Sequence, residues 1–163
     1  MISNKVDRIL SKALELTNLS NQNFCHAAII TKGSKPVVFG INNDRSLIRG
    51  KIAICSHAEI DAVLKWRNLY FRDVKDKKRK GKKYNLYVVR KNKQGDVLFS
   101  NSKPCQSCSK ILKQCNFNKI IYSTGNSDIF KSVRISELTS SHKSSAFNYL
   151  ENNINYFSRL NYI

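Results

Sequence analysis

The apolar positions of the first segment, residues 5–16, recur at helical spacing. Val6, Ile9, Leu10, Ala13, Leu14 and Leu16 fall largely on one face, which predicts an amphipathic helix that ends at the polar "SNQN". The pattern then changes period. "FCHAAIITKGSKPVVFGIN" reads as two apolar strands joined by a tight turn at "KGSK", and the near-continuous apolar runs predict a sheet covered on both faces. "NDRSLIRGK" is polar and basic and predicts a loop. Residues 57–70 return to helical spacing, with Ile60, Val63, Leu64 and Leu69 expected to face the core.

A run with seven basic residues between positions 75 and 83 cannot pack, so residues 72–83 are expected to form a solvated insert. "YNLYVVRKNKQGDVLFS" predicts a third strand, a turn at Gly95 and a short return strand. Pro104 suits the first turn of a third helix reaching about Cys115, and "NKIIYST" predicts a fourth strand closed by a turn at Gly125-Asn126. A fifth strand over 133–138 and a final helix over 146–154 complete the reading. No internal repeat is visible. The order α-β-β-α-β-α-β-(β)-α predicts an α/β fold, a mixed five-stranded sheet between helices in three α/β/α layers. The helix between strands three and four makes that pair parallel.

Composition narrows this picture. A chain of 163 residues with 41 % hydrophobic content supports one domain, residues 1–163, with a core over about 5–125 and an extension over 126–163. The opening "MISNKVDRIL" does not resemble a signal peptide, and no run approaches the ~18 apolar residues of a membrane span. A cytoplasmic protein without membrane contact is expected, or a nuclear one if the basic run is an import signal in a eukaryotic host. Five cysteines without a secretory signal argue against a disulfide framework. Cys25, Cys55 and Cys115 read as small buried hydrophobes. The net charge of +18 favours polyanions such as RNA or single-stranded DNA. The joint richness in Lys, Asn and Ile fits mere compositional bias equally well.

The candidate chemistry lies in "CSHAEIDAVLKW" and "SKPCQSCSKIL". Cys105 and Cys108 are i and i+3 at the start of a helix, where unpaired N–H groups and the helix dipole favour thiolate. With His57 they make three ligands for Zn²⁺, the number typical of a catalytic site that keeps one position for water. His57 opens one helix and the cysteine pair opens another, and in an α/β sheet helix starts gather at the C-terminal ends of strands. Glu59 is the candidate base for a metal-activated water. Positions i and i+2 diverge on a regular helix, so His57 must sit at the helix start for Glu59 to reach the same water.

His57-Ala58-Glu59 followed by Pro104-Cys105-x-x-Cys108 resembles the signature of the zinc-dependent cytidine and deoxycytidylate deaminase superfamily. The element order of residues 1 to about 125 resembles it too. The resemblance implies zinc bound by His57, Cys105 and Cys108, and zinc hydroxide attacking C4 of a cytosine-type base or C6 of an adenine. Glu59 would carry protons from water to the ring and to departing ammonia. The likeness also implies that Asn42, with Asn43 as its rival, holds the sugar. The backbone of Ala58 and the carbonyl of Lys103 would grip the base edge. Lys103 stands where tRNA adenosine deaminases carry a glutamate, and "PCQSCSKIL" is more similar to the deoxycytidylate branch, which implies cytosine chemistry. Arg45, Arg49 and Lys51 are candidates for a 5′-phosphate. The expected substrate is a free nucleotide or nucleoside such as dCMP. The alternatives are a deaminase acting on RNA or single-stranded DNA, and an inactive nucleic-acid-binding relative. Relatives are commonly oligomeric, so a homo-oligomer is expected.

Overall fold

A computed structural model of the protein describes residues 4–44, 47–48, 51–52, 57–70, 83–92, 99–125 and 130–144. The chain runs α1 (Asn4–Thr17), β1 (Phe24–Lys32), β2 (Lys35–Ile41), β3 (Leu47–Ile48), β4 (Lys51–Ile52), α2 (Ala58–Tyr70), β5 (Tyr84–Asn92), α3 (Gln106–Cys115), β6 (Lys119–Ser123) and β7 (Phe130–Arg134). The five long strands form one mixed sheet in the order β2-β1-β5-β6-β7. Strand β1 is antiparallel to both β2 and β5, and β5 is parallel to β6. Consequently β2, β5 and β6 all point the same way. Both α2, which follows β2, and α3, which follows β5, must therefore begin at one edge of the sheet.

The two faces are covered separately. Ile9, Leu10, Ala13 and Leu16 of α1 pack with Ala27, Ile29, Tyr87, Val89 and Ile121 on one face. Helices α2 and α3 cover the other, where Trp66, Val63 and Leu112 meet Ala28, Ile30, Leu86, Val88 and Ile120. Trp66 anchors this layer, its ring 5.2 Å from Tyr84 and 4.7 Å from Phe117. Burying a side chain of that size stabilises by roughly 3 kcal/mol. This is the three-layer α/β/α arrangement with a mixed five-stranded sheet.

Several local expectations change. The "KGSK" turn is tight as expected, with Gly33 at φ 61° in the left-handed region glycine tolerates. Strand β1 is buried on both faces, but β2 lies at the sheet edge and Phe39 is 51 % exposed. The polar segment after β2 contains the short β3–β4 ladder instead of only a loop. The last strand starts at Phe130, and Ile135–Glu137 is a 3₁₀ turn that drops Ile135 and Leu138 into the core. The return strand after Gly95 is reduced, among the described residues, to the isolated bridges Arg90–Ser100 and Asn101–Thr124. Residues 72–82 of the basic insert, Cys55, Asn126 and the helix expected over 146–154 lie outside the described residues. Among the described residues no helix is long and apolar enough to cross a membrane.

Helix α2 corrects the expected core face. Of Ile60, Val63, Leu64 and Leu69, only Val63 is buried, and Leu69 is 68 % exposed. The buried stripe is Ala58, Glu59, Ala62, Val63 and Trp66, which still follows helical spacing but includes a carboxyl. The rotation is set by backbone contact with β2. A Cβ placed on Gly40 would lie 2.4 Å from both the Ala58 carbonyl oxygen and the Ala62 nitrogen, so only glycine allows this approach. Asp61 fastens the same corner, its Oδ2 accepting from the Ile41 N–H at 3.1 Å and from Lys65 Nζ at 2.7 Å.

Gly40→Ala should therefore force α2 off the sheet and destabilise the protein by about 1–3 kcal/mol, the usual range for overpacking. Thermal unfolding checks this, and a Tm equal to that of the parent would show that the helix does not rest on Gly40.

Candidate metal centre and its cleft

His57 lies immediately before α2, and its carbonyl accepts the Asp61 N–H at 2.9 Å, closing the first turn. Because His57 is outside the helix proper, it is free of the angular divergence that separates i from i+2 on a regular helix. Glu59, in the first turn, lines the same cleft as His57.

The second limb is built by α3 and the segment before it. Cys105 is the N-cap residue with extended backbone, and its carbonyl accepts the Ser109 N–H at 2.9 Å. The Gln106 N–H is capped from outside the helix by the His142 carbonyl at 2.8 Å. Upstream, a buried serine pair ties the chain across the ends of β5 and β6. Ser102 Oγ donates to the Val88 carbonyl at 2.7 Å and accepts the Ser123 N–H at 2.9 Å, while the Ser102 N–H donates to the Ser123 carbonyl at 2.8 Å. These bonds fix where Pro104 and Cys105 emerge.

The two limbs bring three donors together. His57 Nδ1 lies 3.2 Å from Cys108 Sγ and 3.5 Å from Cys105 Sγ, and the three donor atoms all fall within 4.8 Å of one another. Cys105 and Cys108 are buried. The hydrogen bond from Cys108 lowers the Cys105 pKa most, and against the opposing effect of burial it falls to about 4 with help from His57. A thiolate next to a thiol and an imidazole is a donor set that suits Zn²⁺.

Glu59 is 3 % exposed, and its Oε2 has no hydrogen-bond partner. Burial raises its pKa above the ordinary carboxyl value, opposed by the nearby His57. An orphaned carboxyl oxygen in a buried site costs stability unless a ligand or water satisfies it.

Around these groups lies a cavity of about 220 Å³, lined by His26, His57, Glu59, Arg90, Asn101, Lys103, Cys105 and His142. One water occupies ~30 Å³ of liquid, so the space admits a ring-sized ligand. Sequence reasoning missed His26, Arg90, Asn101 and His142. His26 and Arg90 are cross-strand partners on β1 and β5, and they extend the face that carries Ala28 and Val88. A histidine at the inward register of an otherwise apolar strand was the available signal. Burial chiefly, then Arg90 and His57, lower the His26 pKa to about 3, which keeps the ring neutral near pH 7. For Arg90, Asn101 and His142 no local signal existed, since only strand register and chain return bring them in.

The remaining sequence candidates divide. Lys103 lines the cleft and Ala58 is fully buried against Gly40. Asn42 is not among the lining residues, and its amide is engaged in the structure itself. Its Oδ1 accepts the His26 N–H at 2.6 Å and Ser20 Oγ at 2.8 Å, and its Nδ2 donates to the Phe24 carbonyl at 2.7 Å. Asn43 Nδ2 donates to the Ile41 carbonyl at 3.2 Å. Arg45, Arg49 and the side chain of Lys51 lie outside the described residues.

A family profile, the cytidine and deoxycytidylate deaminase zinc-binding region, matches residues 3–124. Among solved structures, a cytidine deaminase from Burkholderia pseudomallei is similar at 13 % identity and a TM-score of 0.60, over 87 % of this chain and 100 % of that one. A cytidine deaminase from Mycobacterium leprae is similar at 14 % identity and a TM-score of 0.52, over 84 % and 98 % of the two chains. At such identities the likeness is one of fold. No curated protein sequence matches the chain.

The donor geometry gives a direct expectation. Metal analysis of the purified protein should find one equivalent of zinc, and Cys108→Ser or His57→Ala should each lower occupancy at least tenfold. Full zinc content in either variant would place the metal elsewhere.

Proposed function

Because the chain belongs to the cytidine and deoxycytidylate deaminase zinc-binding family, we propose that it hydrolytically deaminates a cytosine-type base in a free nucleotide or nucleoside such as dCMP. The observation that carries this reading is the buried Glu59 carboxyl, its Oε2 without a hydrogen-bond partner, in one cleft with His57 and Cys105 of the donor triad. A structural zinc site would call for neither a cavity nor a dry carboxyl beside it.

In this reading His57, Cys105 and Cys108 hold zinc, and two thiolates neutralise the dication so that the site can be buried. When bound, zinc supplies the Lewis acidity that makes water a nucleophile at neutral pH. Glu59 is the catalytic proton carrier. Its burial favours the neutral acid, which helps it take a proton from water and hold that proton for transfer to N3 of the pyrimidine. It next receives the hydroxyl proton and delivers it to the amino group, which leaves as ammonia while the C4 carbonyl forms. The Ala58 N–H, in the first helical turn where backbone donors lack intrahelical partners, and the Lys103 carbonyl hold the base edge. Neutral His26 closes the floor of the cleft, with Asn42 fixing its backbone.

A polymer-directed activity draws support from the +18 charge, and the same assay separates it. Purified protein is incubated with dCMP, dCTP, cytidine, single-stranded DNA and tRNA, and ammonia and base conversion are measured. Turnover of the mononucleotide or nucleoside supports the proposal, and conversion confined to a polymer overturns it.

Glu59→Gln tests the proton role separately. It should lower kcat by about 10²–10⁴-fold, the range for a lost general acid–base group, with zinc content retained. Its Tm should match or exceed the parent's, because the isosteric amide keeps the packing and cannot carry a buried charge. Undiminished turnover in this variant would remove Glu59 from the chemistry.

A further inference from the structure

The cleft holds a cation with no ion-pair partner among the described residues. Arg90 stands on β5 opposite His26, at the end of the sheet face where the apolar positions Val88 and Ala28 give way to polar ones. Its guanidinium carbon lies 4.3 Å from the centre of the Phe24 ring. One arm, Nη1, donates to the Asn101 carbonyl at 3.4 Å, while Nε is buried and has no hydrogen-bond partner. The ion pairs among the described residues are Lys12–Glu15 and Lys65–Asp61, so Arg90 pairs with no carboxylate among the described residues. Among the described residues, Glu59 is the carboxyl that lines the cleft. Lys103 lines it too, with its backbone N–H held by Asn101 Oδ1 at 3.0 Å and its side chain exposed.

A partly buried guanidinium without an anion costs free energy, and its fork geometry matches a planar or tetrahedral oxyanion. Sugar hydroxyls would need no such charge. The cavity is also lined by His57 and Cys105 of the donor triad, so a ligand anchored there by its base would extend its far end along the same cleft.

We propose that Arg90, assisted by Lys103, is the phosphate-binding subsite of this cleft, which makes the substrate a phosphorylated nucleoside. The proposal rests on the deaminase reading given above. It puts the phosphate contacts on β5 and on the segment before α3, in place of the segment after β2 where Arg45, Arg49 and Lys51 lie. The phosphate is that of a free nucleotide or one within a strand, and the experiment tells these apart.

The zinc-loaded protein and Arg90→Gln are compared on deoxycytidine, dCMP and a short oligodeoxycytidylate. The parent should prefer dCMP to deoxycytidine. In Arg90→Gln the ratio of the two kcat/KM values should fall about 10- to 100-fold, as expected for a charged hydrogen bond worth 1.5–3 kcal/mol. The loss should appear in KM more than in kcat. Arg90→Lys, which keeps charge without the fork, should recover part of the ratio. A preference for the oligonucleotide over both small substrates, lost in Arg90→Gln, identifies a strand phosphate as the group bound. An unchanged ratio, or equal losses on deoxycytidine and dCMP, overturns the proposal while leaving deamination intact. Should Arg90→Gln not fold, Arg90→Lys and Lys103→Gln decide on the same ratio. If no cytosine compound is turned over, the deaminase reading itself fails. Equilibrium binding of dCMP to the parent and to Arg90→Gln then decides the subsite: a tenfold or greater loss of affinity supports it, and equal affinity overturns it.

Discussion

Two helices begin at the same edge of one sheet because the strands before them point the same way. Strand β1 runs against both β2 and β5, so β2 and β5 are parallel, and α2 and α3 are forced to start side by side. Everything chemical in the molecule follows from that constraint. Helix starts carry unsatisfied N–H groups and positive dipole ends, which favour thiolates and anionic ligands. His57 and Cys108 are 51 residues apart in the chain, and their donor atoms lie 3.2 Å apart in space. Gly40 and Asp61 hold one limb and the Ser102–Ser123 pair holds the other, so the donors meet through backbone docking as much as through side-chain attraction.

The site also shows where stability is given up for chemistry. Glu59 occupies the buried stripe of α2 together with Ala62, Val63 and Trp66, where an apolar side chain would pack at no desolvation cost. His26 and Arg90 interrupt the apolar faces of β1 and β5 in the same way, and each leaves a buried nitrogen without a partner. Among the described strand residues, the buried side-chain atoms without a partner are those of His26 and Arg90, and both residues line this cavity. Local inconsistency with core packing, confined to one place, is what a working site looks like.

The electrostatics of the cleft are divided. Near the donors, the two cysteine sulfurs would balance a bound dication, and the Glu59 carboxyl lies buried beside them. Elsewhere in the lining the charge is positive, through Arg90 and Lys103, which form no ion pair among the described residues. The proposed nucleotide, with its base at one end and its phosphate at the other, would satisfy both ends of this polarity at once.

Short-range order was legible in the residues. Helical spacing located α1, the "KGSK" turn located the hairpin, and Pro104 with the cysteine pair located the start of α3, because each depends on neighbours a few positions apart. The donor triad was legible for another reason, as its residue types and spacings are dictated by coordination chemistry. The face of α2 was misread at Leu69, because the helix is rotated by a contact with Gly40 eighteen residues before the helix begins. His26 and Arg90 come together only through strand register, and His142 only through the return of the chain onto α3. Pairings of that kind are fixed by long-range packing, which leaves no periodic trace in the order of amino acids. The chain thus spelled out its metal chemistry, and folding alone chose the walls that decide what may approach it.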